Sequence, residues 1–362
     1  MCDPDDLYYD AVDLLRELIS IPRVSRQENK AADAVERFMS RTGLEPRRHG
    51  NNVWSISRNF DSSRPTLLLN SHIDTVKPVA GWTRDPYNPE VEPDSGRLYG
   101  IGSNDAGASL VSLLAAYRCV RDSETEYNII FLASAEEEVS GTDGISSVLP
   151  MLPVIDTAIV GEPTGMNPAI AEKGLMVLDG VVRGRSGHAA RNEGVNAIYK
   201  ALPVIERLQS LELPCVSDML GPIKISVTQI AAGTQHNVVP DECRIVVDVR
   251  TTDAYSNEST LEMIRAAVPE CELKPRSTRL QPSGIDAGHR LVQRLVMMGK
   301  EPFGSPTLSD QALLRCESVK VGPGDSARSH TADEYIVLDE IREAIELYIR
   351  MISPIAAGQS SL

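Results

Sequence analysis

An α/β protein with a mostly parallel sheet, interrupted by an inserted ferredoxin-like α+β domain, is predicted from three features of the chain. Short apolar runs alternate with amphipathic helical stretches through the first half, the middle changes to strands of alternating polarity, and helical patterns resume near the end. Residues 7–19 set Leu7, Val12, Leu14, Leu15, Leu18 and Ile19 largely on one helical face, and residues 30–41 form a second amphipathic stretch. The apolar runs 66–69, 128–133 and 157–160 are too short for helices and read as strands buried on both faces. A helical stretch at 108–120 separates the first two, which makes a β-α-β unit with parallel strands.

From residue 176 the order is strand (176–183), helix (196–209), strand (223–230), strand (244–250), helix (259–268) and strand (272–274). This β-α-β-β-α-β order is ferredoxin-like. Helices near 291–298 and 338–351 then return to the first pattern. The expected division is a discontinuous main domain, residues 1–174 and 283–362, around an inserted domain at 175–282, with a frayed tail at 358–362.

Composition narrows the function. In 362 residues, 51 acidic against 36 basic side chains give a formal net charge of −15, which argues against nucleic-acid or anionic-membrane partners and leaves small molecules. With 42% hydrophobic and 24% charged residues the chain is globular, and disordered or collagen-like classes are excluded. The six cysteines form no C-x-x-C pair, so they read as free thiols in a reducing compartment. The N-terminal residues are acidic and no apolar run approaches the ~20 residues of a membrane span, so a cytoplasmic location is expected.

The strand ends carry the chemistry. The first strand runs into Asn70-Ser-His-Ile-Asp74, the second into Glu136-Glu-Glu138 and the third into Gly161-Glu-Pro163. In open α/β sheets, sites form beyond the carboxyl ends of the strands. Asp105 lies in the turn Gly100-Ile-Gly-Ser-Asn-Asp-Ala-Gly107, where a dinucleotide fingerprint would need a third glycine; a carboxylate there would repel a pyrophosphate. Three adjacent acids leaving a core strand repel one another unless cations or protons compensate them, although charge runs are usually exposed loops. His72, Asp105, Glu138, Glu162 and His330 would supply the His and carboxylate donors that a pair of divalent cations needs.

These motifs resemble the M20 metallo-aminoacylases and peptidases. The resemblance rests on Ser71-His-Ile-Asp74, Gly102-Ser-Asn-Asp105, Ala135-Glu-Glu-Glu-Val-Ser-Gly141, Gly161-Glu-Pro-Thr164, Ser186-Gly-His-Ala189 and Ser329-His-Thr-Ala-Asp-Glu334. It covers nearly the whole chain, and it implies a di-metal hydrolase domain whose insert serves as lid and dimerisation domain. It further implies that His72 and Glu162 bind one cation, Glu138 and His330 the other, and that Asp105 bridges them, with zinc expected first and cobalt second. Asp74 would orient His72, Glu137 would act as general base, and His188 would stabilise the oxyanion from the second subunit of a homodimer. A one-residue slip would make Glu136 the base and Glu137 the ligand; the resemblance favours the first assignment, because the distance from Glu138 to Gly144 is the one usual in that family.

Lys173, Asn237, Arg250 and Gly322 match positions that touch substrate in relatives, and Arg suits a carboxylate through its planar fork. Each also has an ordinary reading as a surface charge or a turn. His49 and His289 lie in polar surroundings and are expected at the surface. Many relatives have a cis peptide after the bridging Asp; the departure to Asp105-Ala106-Gly107 leaves that point open.

The implied activity is metal-assisted hydrolysis of an N-acyl-L-amino acid, with N-acetyl-L-ornithine first, in arginine biosynthesis, and N-succinyl-L-ornithine as the alternative. A dipeptidase or carboxypeptidase of the same family is a further reading, and a non-catalytic metal-binding homologue a remote one. A serine or cysteine hydrolase is disfavoured, because there is no G-x-S-x-G elbow and Cys119 falls within an apolar helix.

Overall fold

The computed structural model describes residues 2–123, 125–191 and 193–353, so the tail at 358–362 lies outside the described residues. The chain forms two compact units, one of Met1–Ile170, Ile285–Phe303 and Ser309–Leu362, the other of Ala171–Gly284 with Gly304–Leu308.

The first unit is built on a twisted mixed sheet with a parallel centre. Thr66–His72 pairs in parallel with both Asn128–Ser134 and Thr157–Val160, and Thr157–Val160 pairs in parallel with Glu317–Lys320. Antiparallel pairs flank this centre, with Asn52–Ile56 and then Arg47–His49 beyond Asn128–Ser134, and Ala169 opposite Lys320 on the other side. Every residue of Thr66–His72 and Asn128–Ser134 is buried. That is the continuous apolar pattern of strands covered on both faces, and each fully buried Leu, Ile or Phe stabilises the unit by ~1.5–3 kcal/mol.

Helix Ala108–Val120 is buried nearly all round, packed with Pro4–Ile19 and Leu338–Ile352, which explains its lack of a polar face. Pro4–Ile19 begins with Pro at its first position and the Asp3 side chain accepting the Asp5 amide at 3.0 Å, a normal capped start. His289 is half-buried rather than at the surface: its Nδ1 accepts the Leu291 amide at 3.3 Å and caps helix Arg290–Met297. His49 is exposed.

The second unit holds an antiparallel sheet in the order Lys224–Ala232, Glu242–Thr251, Gly174–Arg183, Cys271–Pro275. Helices Ala197–Ser210 and Asn257–Ala267 complete a ferredoxin-like arrangement, with Met176, Leu178, Val182, Val204, Leu208, Val247 and Ile264 in its core. Their starts are capped by the side chains of Asn196 and Ser256.

The division falls at Ile170 and Gly284, with Gly304–Leu308 joining the second unit. Gly304 packs there so closely that a Cβ would lie 2.5 Å from the Met219 carbonyl oxygen.

Candidate active site

Each parallel strand ends in a residue that the site uses. Strand Thr66–His72 delivers His72 itself, fully enclosed. Its Nδ1–H donates to the Asp74 carbonyl oxygen at 3.0 Å, which turns Nε2 toward Asp105 Oδ1 at 3.3 Å and Glu162 Oε1 at 3.7 Å.

Strand Asn128–Ser134 ends in a tight turn in which Glu136 and Ser140 take left-handed φ of 55° and 45° on either side of the short helix Glu137–Val139. Such φ values are unusual for residues with a Cβ and occur where surrounding contacts hold them. Here the contacts come from Asp74, wholly buried, whose carboxylate accepts the amides of Glu137 at 3.1 Å and Glu138 at 3.2 Å and the Ser25 hydroxyl at 2.7 Å. Asp74 therefore fixes the acid triplet as well as standing beside His72.

The triplet separates. Glu136 turns to Arg26, 3.9 Å away, and covers Gly141, where a Cβ would lie 1.7 Å from its Oε2. Glu137 has a carboxylate oxygen within 4.8 Å of donor atoms of His72 and Glu162, and Glu138 has one within the same distance of His72 and Asp105. Both oxygens of Glu138 face His330 Nε2, at 3.0 and 3.2 Å.

Asp105 presents Oδ1 to His72 and Oδ2 to His330 Nε2, the latter at 3.4 Å. Its peptide bond to Ala106 is cis. Asp105 and Glu162 are each only 13% exposed, so the carboxylates crowd together out of water.

Electrostatics follow from that crowding. Burial pushes the Glu162 carboxyl up to about 8 against the pull of His72, and Asp105 adds repulsion while Lys320 opposes it. Burial also raises Glu137 well above the usual carboxylate range; His72 opposes this, and Glu162, Asp310 and Glu138 reinforce it. The hydrogen bond to Glu138 leads in raising His330 to about 9. For His72, burial favours the neutral ring, but hydrogen bonds to Asp105 and Asp74 outweigh it. Protons are thus drawn to the places where cations would neutralise the same oxygens. Two imidazoles among four carboxylates, with one carboxylate facing both rings, fit two divalent cations.

Among the expected site residues, His72, Asp74, Asp105, Glu137, Glu138, Glu162 and His330 converge. Gly322 lies in the same unit and is buried, and its carbonyl accepts the amides of Thr164 and Met166 at 3.1 and 2.9 Å. A Cβ on Gly322 would lie 2.2 Å from Ser109 Oγ and 2.6 Å from the Glu162 carbonyl oxygen. Gly322→Ala is therefore expected to cost ~1–3 kcal/mol and to displace Glu162, read as a lower melting temperature with reduced metal content. Unchanged values for both would show that the backbone yields freely there.

The other candidates belong to the second unit. His188 is exposed in a two-residue ladder with Val238, its Nδ1 accepting the Ala190 amide at 3.1 Å. Asn237 is exposed, and its carbonyl accepts the Ala189 amide at 3.0 Å. Arg250 pairs with Asp248 at 2.9 Å, and Lys173 Nζ donates to the Pro222 carbonyl at 3.3 Å. Burial, followed by the neighbouring Lys224, lowers the Lys173 ammonium.

Arg23, Ser25, Asp310 and Lys320 also surround the site, and no sequence motif marks them; Glu334 closes the motif Ser329-His-Thr-Ala-Asp-Glu334 with no role implied for it.

The fold and donors are those of a metal-dependent hydrolase. Residues 68–353 match the model of Peptidase family M20/M25/M40, and the chain belongs to that family. It is 28% identical to a putative succinyl-diaminopimelate desuccinylase of Mycobacterium tuberculosis over 96% of this chain and 99% of that one. It is 27% identical to a succinyl-diaminopimelate desuccinylase of Cereibacter sphaeroides, over 95% and 98%.

Among solved structures it resembles a Staphylococcus aureus tripeptidase, with a TM-score of 0.75 at 19% identity over 95% of this chain and 97% of that one. It also resembles a dinuclear metal binding M20 peptidase of Bacillus subtilis, with a TM-score of 0.74 at 17% identity over 96% and 98%. Among the described residues, no helix is long and apolar enough to cross a membrane.

Proposed function

We propose that this chain hydrolyses the amide bond of an N-acyl-L-amino acid, with His72 and Glu162 holding one cation, Glu138 and His330 the other, and Asp105 shared between them. The observation that carries this reading is the double presentation of Asp105, one oxygen toward each imidazole. Zinc suits mixed imidazole and carboxylate donors, and cobalt is the alternative. When bound, the cations polarise the amide carbonyl and lower the pKa of water.

The protein residues do the rest. Glu137 takes the proton from the attacking water and delivers it to the departing amine. Asp74 holds the His72 ring and the Glu137 amide together, so base and ligand keep a common frame. His188, contributed by the partner in a homodimer, donates to the developing oxyanion. Arg250 or Lys173 meets the substrate carboxylate.

The names of the relatives support a succinyl rather than an acetyl group and diaminopimelate rather than ornithine as the leaving amine. N-succinyl-diaminopimelate is accordingly the first substrate, ahead of N-acetyl-L-ornithine and N-succinyl-L-ornithine. The succinyl group adds a carboxylate that is costly to bury unpaired; N-succinyl-diaminopimelate has three carboxylates in all, and the cationic side chains Arg250 and Lys173 suit two of them.

The experiment is a hydrolysis screen of these three compounds and plain dipeptides, with wild type and Arg250→Ala. Arg250→Ala is expected to lower kcat/KM by ~10–100-fold, the loss of a charge-assisted hydrogen bond. Efficient cleavage of dipeptides with no turnover of any acyl amino acid would sink the substrate assignment and leave the metal chemistry standing.

A further inference from the structure

We propose that Glu334 and Arg23 are positioning residues that hold the Asp105 turn and the His72 strand end in one rigid frame, so that the cation donors stand in place before any cation arrives. This rests on the di-metal reading above.

Glu334 is 3% exposed and spends its carboxylate on backbone amides: Oε1 accepts from Asn104 and Asp105, each at 2.9 Å, and Oε2 from Gly102 at 3.0 Å. Three amide contacts on one rigid group orient the peptide planes that lead into Asp105. From another direction Arg23, 1% exposed, donates through Nη1 to the Ile73 carbonyl at 2.5 Å and through Nη2 to the Gly102 carbonyl at 2.9 Å.

Ile73 separates His72 from Asp74, so the same guanidinium ties the histidine strand to the turn that Glu334 holds. Gly102 is gripped at both its N–H and its carbonyl. It takes a φ of 70°, and a Cβ there would fall 2.4 Å from Arg23 Nη2, so only glycine fits under this clamp. Neither charge is available to solvent. Their hydrogen-bonded partners on the turn and the strand end are backbone atoms beside cation donors, so the pair acts by orientation.

A clamp of this kind differs from a merely structural ion pair in what it controls. A structural pair sets the melting temperature and leaves the cation affinity of the folded protein alone. A positioning pair sets that affinity.

The test is titration of the metal-stripped full chain with Co²⁺, read by its visible ligand-field absorption, for wild type, Glu334→Gln and Arg23→Lys. Glu334→Gln replaces one acceptor by a donor that faces an N–H. It is expected to weaken Co²⁺ uptake by ~10–100-fold, with kcat falling further than KM moves. Wild-type affinity and absorption in folded Glu334→Gln overturn the proposal. If that variant does not fold, Arg23→Lys decides. It keeps the buried cation but reaches one carbonyl rather than two; a loss of about tenfold supports the clamp, and affinity within about twofold of wild type overturns it. Wild-type protein that takes up no Co²⁺ overturns the di-metal reading and the clamp with it, whereas normal wild-type uptake with unaffected variants overturns the clamp alone.

Discussion

Glu137→Gln is expected to keep both cations and to lose ~10²–10⁴-fold in kcat, the contribution of a positioned acid–base group. The substitution is nearly isosteric and leaves every proposed ligand in place. It also removes one charge from a crowded acidic cluster in which Glu162, Asp310 and Glu138 all push the Glu137 carboxyl up, so the fold is not strained, and the cations keep all five proposed ligands. Glu138→Gln is the contrasting variant, because it weakens the pair with His330 and should reduce metal content. Metal analysis alongside steady-state kinetics separates the two roles. If Glu137→Gln lost metal while Glu136→Gln lost activity, the roles would have to move by one residue. The placement of Glu136 against Arg26 and Gly141 argues against that outcome.

Mixing two inactive variants should restore activity. If His188 acts on the partner's substrate, His188→Ala is expected to lose ~10²–10³-fold, as removal of an oxyanion donor does. In a dimer of Glu137→Gln and His188→Ala subunits, one of the two sites contains neither lesion. Random exchange makes half the dimers mixed, so about a quarter of all sites recover. The measurement is activity against mixing ratio, with exchange followed independently by a tagged subunit. Exchange without recovery would assign His188 to its own chain or to no catalytic role.

Much of the site is legible in the sequence because polar residues interrupt continuous apolar runs at strand ends. His72, Glu137, Glu138 and Glu162 all follow such runs, and the sheet's parallel centre then brings those ends to one edge. His330 follows no apolar run, and only the resemblance of Ser329-His-Thr-Ala-Asp-Glu334 marks it. It stands at a left-handed φ of 58°, a conformation no periodicity encodes.

Arg23 and Glu334 escape sequence reading for a different reason. Their hydrogen-bonded partners are backbone amides and carbonyls, which every residue possesses, so no pair of residue types signals the contact. The strand Glu317–Lys320 is likewise silent. Its sequence Glu-Ser-Val-Lys has no apolar run, yet pairing with Thr157–Val160 and Ala169 makes it a buried strand, tertiary context overriding local preference. The inserted unit is easier, since its strands alternate with the period of two seen in the burial of Gly174–Arg183.

The place of Glu317–Lys320 in the sheet also sets an order of events on the ribosome. This strand pairs with Thr157–Val160, yet its residues are made only after the whole of Ala171–Gly284. At 5–20 residues per second, roughly 8–30 s separate Ile170 from Lys320. The second unit, Ala171–Gly284 with Gly304–Leu308, is synthesised in full during that interval and is free to fold first. Meanwhile Thr157–Val160 waits with a vacant hydrogen-bonding edge, and Asp105, Glu137, Glu138 and Glu162 wait without His330. A nascent chain halted before residue 317 therefore displays an apolar strand edge beside uncompensated carboxylates, the kind of surface that invites aggregation.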